Sequence, residues 1–441
     1  MTKNPRTRDI SRRQMLKMMG AGGAGLILPA CSESPRGPAV AGKRVPIRLV
    51  VMDYDENMKA DTQALIDAFN NSQKRIEASL DIYNWTQGHD QLVTQIGGGQ
   101  APDLANAASL WLSEWRSINE IMPLDDLLPP SFLDSFANAG LNAFRSDGRL
   151  MGLPYFLDPR AMYYRKDMFE AEGLPPPQTW ADVVTAGLKL HRPPGMYGLG
   201  LTLSRKSDNL DYWWYAWFGV QGAAGDLSIW TEDGHSRLGS PEAIEATRYL
   251  VDLVQTHGIT NPDYTTAGRD EELQPLFYAG KLAMLQTGSW LPTLLKNNAP
   301  ELPYGIGPIP VSRPELAPAN GIWPDCLVMF KQTPHPREAA TLLRFLYSRE
   351  NRLAFARQRG VIPERIDVGR DPAYAVTDVE KFFVEALATS HNTYETPWPT
   401  TLVKTSIETE NLVGRAVAGE ISAEEAMTSA ARLTDRLNGL S

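Results

Sequence analysis

The chain has 441 residues, 43% hydrophobic and 22% charged, an ordinary globular composition. Residues 1–30 carry Lys3, Arg6, Arg8, Arg12, Arg13 and Lys17 against Asp9 alone, so their removal takes the net charge from −9 to −14. A surface that acidic argues against nucleic acid and against anionic lipid headgroups as partners.

Ser11-Arg12-Arg13-Gln14-Met15-Leu16-Lys17 precedes an uncharged run from Met18 to Ala30, shorter than the ~20 apolar residues a membrane span needs. Paired arginines ahead of a short apolar core resemble the twin-arginine signal, which carries folded proteins across the bacterial cytoplasmic membrane. Leu28-Pro29-Ala30-Cys31 resembles a lipobox, in which the cysteine is acylated and becomes the mature amino terminus. Residues 1–31 are therefore expected to be an export signal with Cys31 as the lipidation site, placing the rest outside the cytoplasm, in a periplasm or on the cell surface. With Cys31 lipidated, Cys326 stands alone and no intramolecular disulfide forms. Residues 32–44 are rich in Ser, Pro, Gly and Ala and read as a flexible tether. The roughly 410 residues beyond the signal exceed one hydrophobic core, so two domains are expected.

Val45 to Met52 reads as a buried strand, and Leu65, Ile66 and Phe69 lie on one helical face. Ile76, Ala78, Leu80 and Ile82 alternate as a second strand. A helix through Leu92 and Ile96 stops at Gly97-Gly98-Gly99, and Asp103 to Ala108 forms a third strand. This β-α-β-α-β order predicts a parallel sheet with its ligand at the carboxyl ends of the strands, in the loops after Met52, Ile82 and Ala108. Thr179 with Asp182, Ser240-Pro241-Glu242, and Ser422 with Glu425 are helix starts, the second helix ending before Gly258. The last helix presents Ala426, Ala430, Leu433 and Leu437 on one face, which should dock on a core.

Enzyme signatures are scarce. The six histidines are scattered without metal-ligand spacing, and no nucleophile elbow or phosphate loop appears, so neither catalytic residues, metal nor cofactor is expected. Tryptophans are the stronger signal: Trp85, Trp111, Trp290, Trp323 and Trp398 stand in loop-like or Gly- and Pro-flanked contexts. Sugar rings stack C–H faces on aromatics, and their hydroxyls take a few polar partners. Each such tryptophan is also a candidate for ordinary core packing. Tyr212 to Phe218 reads as a helix whose larger face is core, and Asp158 alone is as readily a turn residue as an acceptor.

The motifs G-x-x-x-G-L-P from Gly148, Y-Y-x-K-D-x-F from Tyr163 and G-L-x-x-P-x-T-W from Gly173 follow one another around Asp158. With Pro102-Asp103-Leu104, Phe277-Tyr278-Ala279-Gly280-Lys281, Gly288-Ser289-Trp290, Gly305-Ile306-Gly307-Pro308 and Arg359-Gly360-Val361-Ile362-Pro363, the order resembles the extracellular solute-binding proteins of sugar ABC importers over residues 45–441. The resemblance implies an α/β, two-lobe type II periplasmic-binding-protein fold, with three crossings and a ligand cleft between the lobes. It places one lobe at 45–156 plus 325–371 and the other at 159–322 plus 373–441, with crossings near 156–158, 323–325 and 370–375. It implies a monomer that takes a sugar and delivers it to permease transmembrane subunits, with the lipid anchor as its membrane attachment.

Carried over by position, Asp158 accepts sugar hydroxyls beside Phe156, Trp290 is a stacking ring, Trp323 and Asp325 lie at the second crossing, and Trp398 is a C-terminal platform. Asp55, Gln87, Ser109 and Trp111 occupy strand-end loops of the first lobe, and Tyr212 and Trp213 lie on the aromatic helix. Pro159-Arg160 departs from the pattern. Arg160 either points into the cleft to read an acidic sugar or phosphate ester, or forms an ion pair outside it, and the charge of −14 favours the second. Two other readings stay open: a secreted hydrolase using Asp158 and Asp325, and the same fold holding a polyamine, phosphate ester or sugar acid.

Overall fold

The computed structural model describes residues 44–54, 57–203, 210–222, 227–231, 233–266, 272–374, 377–387, 390–392 and 401–440. The signal, Cys31 and residues 32–43 of the tether lie outside the described residues, as do Asp55 and Trp398. Among the described residues no helix is long and apolar enough to cross a membrane, and no group of His, Cys, Asp or Glu is placed to hold a metal ion.

Strands β1 (Val45–Met52), β2 (Ile76–Tyr83) and β3 (Leu104–Ala108) alternate with helices α1 (Met58–Ser72) and α2 (Trp85–Gly97) in the expected order. The carbonyls and amides of β1 pair in parallel with β2 on one side and β3 on the other. The helix α2 stops at the glycine triplet, where Gly99 takes φ +70°. A fourth strand, β4 (Leu153–Phe156), closes the far edge.

The expected parallel sheet is corrected by the strand β10 (Asp325–Met329), which enters antiparallel between β3 and β4. The sheet is mixed, in the order β2-β1-β3-β10-β4. The reason is topological: β10 returns from a second sheet, so it runs against the strands it joins. Fully buried Asn106 ties the insertion together, accepting from the Met52 amide and donating to the Cys326 carbonyl.

The second sheet is built from β5 (Arg160–Arg165), β6 (Tyr197–Leu199), β7 (Leu282–Gly288) and β8 (Tyr304–Gly307), in the order β8-β5-β7-β6. Every residue of β7 is buried, the signature of a strand covered on both faces. A short pair joins β9 (Asn320–Ile322) to β11 (Ser390–Asn392). The chain passes between the two large sheets at residues 157–159 and 323–324. These passages lie side by side, with Pro159 bridged to Ile322 and the Trp323 amide donating to the Asp158 carbonyl at 3.3 Å.

Helix α3 (Trp111–Ser117) follows β3. Helix α4 (Trp180–Leu190) starts at a complete capping box: the Thr179 hydroxyl accepts from the Asp182 amide and Asp182 accepts from the Thr179 amide. Helix α5 (Asp211–Gln221) is buried on every side from Asp211 to Val220, so it is an interior helix with no solvent face. Ser240 caps α6 (Pro241–Val251), which continues as a π turn to Thr256 before Gly258. Helices α7 (Leu291–Asn298), α8 (Pro336–Leu346), α9 (Arg349–Arg359), α10 (Leu402–Val417) and α11 (Ala423–Leu437) complete the layers used below. Helix α11 buries Ala423, Ala426, Met427, Ala430 and Thr434, while Leu433 and Leu437 are only half-buried. Its core face is thus rotated from the expected one, because small residues let it approach α10 and α6 closely.

Asp125 anchors the loop before β4. It accepts from the Leu150 amide at 2.8 Å, Arg145 at 3.1 Å and Arg149 at 3.2 Å. Burial raises its pKa, but the Leu150 amide and the two arginines outweigh that and hold the carboxyl below the ordinary range. A depressed carboxylate pKa contributes stability that is present above the unfolded value, about 3.9, and lost as pH falls through the folded one. Asp125→Asn should therefore lower the urea midpoint at pH 6, with the gap to wild type closing below about pH 4. A gap of equal size at both pH values would show that the ionised carboxylate contributes nothing.

Candidate functional site

The ends of β1, β2 and β3 deliver one aromatic side chain each. Tyr54 meets Trp85 edge-on at 5.2 Å between ring centroids, and Trp85 meets Trp111 at 5.4 Å. The row continues through His89 and Trp115 of α2 and α3, and His89 is held by Glu114 at 2.9 Å. Trp111 is a buried member of this row. Ser109 is buried just ahead of it, with its carbonyl accepting from the Leu112 amide. Gln87 stands exposed on α2, apart from the row.

Phe156 and Asp325, paired across β4 and β10, share Tyr54: its ring meets Phe156 at 4.6 Å and its hydroxyl donates to the Asp325 carboxylate. Burial, and after it the Asp325 charge, push the Tyr54 pKa well above the usual phenol value. Tyr54 is therefore a neutral donor at any physiological pH.

At the first passage the Asp158 carboxylate pairs with the Arg160 guanidinium at 2.8 Å, and Arg160 reaches Asp211 of α5 at 3.4 Å and the Tyr215 hydroxyl at 3.3 Å. All three charged side chains are buried. The guanidinium carbon lies 5.0 Å from the ring centroids of both Trp290 and Trp323, within cation–π range of each. Sequence reasoning expected Arg160 outside the site. It does form ion pairs, but inside, between two of the expected stacking rings. Asp158 stands in the passage two residues ahead of Arg160, the first residue of β5, and in extended chain side chains two apart leave on one face.

Trp323 is braced by Tyr215 at 5.6 Å and Phe218 at 6.3 Å, both edge-on. Trp290 lies so close to its own strand that a Cβ on Gly288 would stand 2.0 Å from the indole and 2.5 Å from an Asp158 oxygen. Only glycine fits there, and this is what the G-x-W spacing accomplishes. The indole N–H groups of Trp290 and Trp323 are buried with no hydrogen-bond partner among the described residues, a state rare enough to need an explanation. The indole N–H groups of Trp111 and Trp115 are in the same state, but Trp290 and Trp323 share one guanidinium between them.

The aromatic helix divides its residues. Tyr212 packs on Tyr215 and so supports the site from behind. Trp213 is corrected: it is fully buried, stacks on Trp217 and donates to Thr247 of α6, so it belongs to the helix core. The missed members, Tyr54, Asp211 and Tyr215, carried only a faint signal. Asp211 was visible as a lone acid opening an apolar helix.

The model of the bacterial extracellular solute-binding proteins matches residues 55–353, about two thirds of the chain. The chain belongs to that family. A protein of Brucella abortus named only as a binding protein is 29% identical over 343 residues, 77% of this chain and 79% of that one. The arabinooligosaccharide-binding protein of Halalkalibacterium halodurans is 26% identical over 324 residues, covering 70% and 69%. Among solved structures, the maltose-bound MalE3 of T. maritima superposes with a TM-score of 0.77 at 22% identity, over 89% of this chain and all of that one. The fold is that of the two-lobed type II periplasmic binding proteins. The passages at 157–159 and 323–324 set the Asp158–Arg160 group between the two large sheets.

Proposed function

We propose that this solute-binding protein captures a mono- or oligosaccharide outside the cytoplasmic membrane and hands it to the transmembrane subunits of an ABC permease, tethered by a lipid on Cys31. The lobes in this reading are 45–156 with 325–371, and 159–322 with 373–441. The observation that carries it is the pair of tryptophans, Trp290 and Trp323, flanking the buried Arg160 guanidinium that holds the Asp158 carboxylate, with their N–H donors unspent among the described residues. Stacking rings beside acceptors and donors are what a sugar needs. Differential contact in the closed state then drives closure.

The charge count supports a neutral ligand over an acidic one. Arg160 already holds two carboxylates, so it has no charge left for a sugar acid or phosphate ester. Asp158 is held by Arg160, and Asp325 by Tyr54. Two carboxylates so committed suit hydrogen bonding better than the acid and nucleophile roles of a glycosidase.

A thermal-shift screen of the purified chain against mono-, di- and trisaccharides, sugar acids and polyamines tests this. Ligand at a hundred times its dissociation constant stabilises the fold by about 2.7 kcal/mol. A raised midpoint with a neutral sugar, and no monosaccharide released from disaccharides, is expected. A shift only with polyamines would mean that the net negative charge of Asp158, Arg160 and Asp211 selects the ligand, and would overturn the sugar reading.

A further inference from the structure

Trp290 borders a second space besides the Arg160 group. A cavity of about 220 Å³ lies against it, lined also by the polar side chains of Asn57, Asp61, Asn297, Gln358 and Arg359. Its walls come from α1 and its approach, from α7, and from the end of α9, so the cavity lies where segments carried by the two sheets meet. Two features hold these walls together. Asp61 accepts from Gln358 at 2.6 Å and from Arg359 at 2.9 Å, an ion pair whose side chains are only 13% and 6% exposed. Gly360, the C-cap of α9 at φ +69°, lies so close to α7 that a Cβ would stand 2.2 Å from the Thr293 hydroxyl.

We propose that this cavity is a second ring subsite, so that the ligand has at least two sugar rings, one of them seated here beside Trp290. The inference rests on the sugar reading above. One aromatic wall with several fixed polar groups repeats the chemistry of the first site on a smaller scale. The volume falls below the ~300 Å³ at which pockets for whole ligands begin, so the space suits one ring of a longer molecule. Arg359 and Asp61 cancel in charge, which fits hydroxyls better than a carboxylate or an amine. Gln358, Asn57 and Asn297 supply both donors and acceptors.

The test is calorimetric titration of the full chain with the sugar found in the screen, as a monosaccharide and as its disaccharide, for wild type, Asn297→Trp and Gln358→Ala. Asn297 is exposed on α7, so a tryptophan there fills the cavity from outside without disturbing the core. Wild type should favour the disaccharide at least tenfold. Asn297→Trp should collapse that preference, and Gln358→Ala should reduce it several-fold. Equal affinity for the two sugars in wild type, or a preference unchanged in both variants, overturns the subsite while leaving sugar binding intact. A wild type that binds no sugar overturns the sugar reading and the subsite with it. Gln358→Ala carries the test if Asn297→Trp does not fold.

Discussion

Replacing Glu364 by glutamine is expected to destabilise the fold by about 3–5 kcal/mol although side-chain volume is kept, because it leaves Arg352 as a buried unpaired charge. The two side chains meet at 2.7 Å with exposures of 2% and 0%. Arg352 also donates to the Tyr155 carbonyl at 2.7 Å, and its guanidinium lies 4.7 to 5.3 Å from the rings of Phe355, Tyr347 and Tyr155. Burial pushes the Glu364 carboxyl up against the pull of Arg352. For Arg352, burial works against the charge, but Glu364 and the surrounding groups keep its pKa raised.

The pair is not fully satisfied, since Arg352 Nε and Glu364 Oε1 have no hydrogen-bond partner among the described residues. Its desolvation is therefore incompletely offset, and Arg352→Met combined with Glu364→Leu should recover most of the loss. Urea unfolding of the two single variants and the double variant forms the cycle that measures this. Single variants within 0.5 kcal/mol of wild type would show that the charges are not held together. The location gives the pair its meaning: it joins α9 to the strand end just before Asp158, and to the segment that follows Gly360.

Local chemistry made much of this legible in advance. Thr179 with Asp182 and Ser240 with Pro241 announce helix starts because the capping atoms lie within three residues of what they cap. The glycine triplet stops α2 for an equally local reason. Asp158 and Trp323 could be placed at the passages, and Trp290 just after β7, because motif order carries them there. Long-range facts were not legible. The reversal of β10 depends on where the chain has been between Phe156 and Asp325, which no alternation of residues encodes. Trp213 and Tyr215 differ by two positions on a helix that is apolar all round, so periodicity could not say which turns to the site. Arg160 shows the limit of charge counting. An overall charge of −14 offers it many partners, but its two carboxylates are the nearest residue on its own strand side and the first acid of the packed helix.

Asp158→Asn should weaken sugar binding about thirtyfold, roughly 2 kcal/mol. Two losses act together. An amide oxygen is a poorer acceptor for sugar hydroxyls than a carboxylate, and charge-assisted hydrogen bonds are about twice as strong as neutral ones. The substitution also removes the 2.8 Å ion pair from Arg160 while the contact to Asp211 at 3.4 Å stays, so the guanidinium can shift from its place between Trp290 and Trp323. Arg160→Met separates the two effects. It keeps the Asp158 carboxylate but removes the cation that pairs with both Asp158 and Asp211, so the site should turn towards cations: spermidine should bind the variant more tightly than wild type, while sugar affinity falls. If Asp158→Asn leaves sugar affinity unchanged in calorimetric titration, Asp158 does not touch the ligand. If Arg160→Met weakens sugar without admitting spermidine, the arginine braces the two tryptophans and its charge does not set the ligand class. Asp158→Asn removes only the ion pair at 2.8 Å, whereas Arg160→Met removes that pair together with the cation–π contacts at 5.0 Å on both sides, so comparing the two substitutions tells stacking from charge.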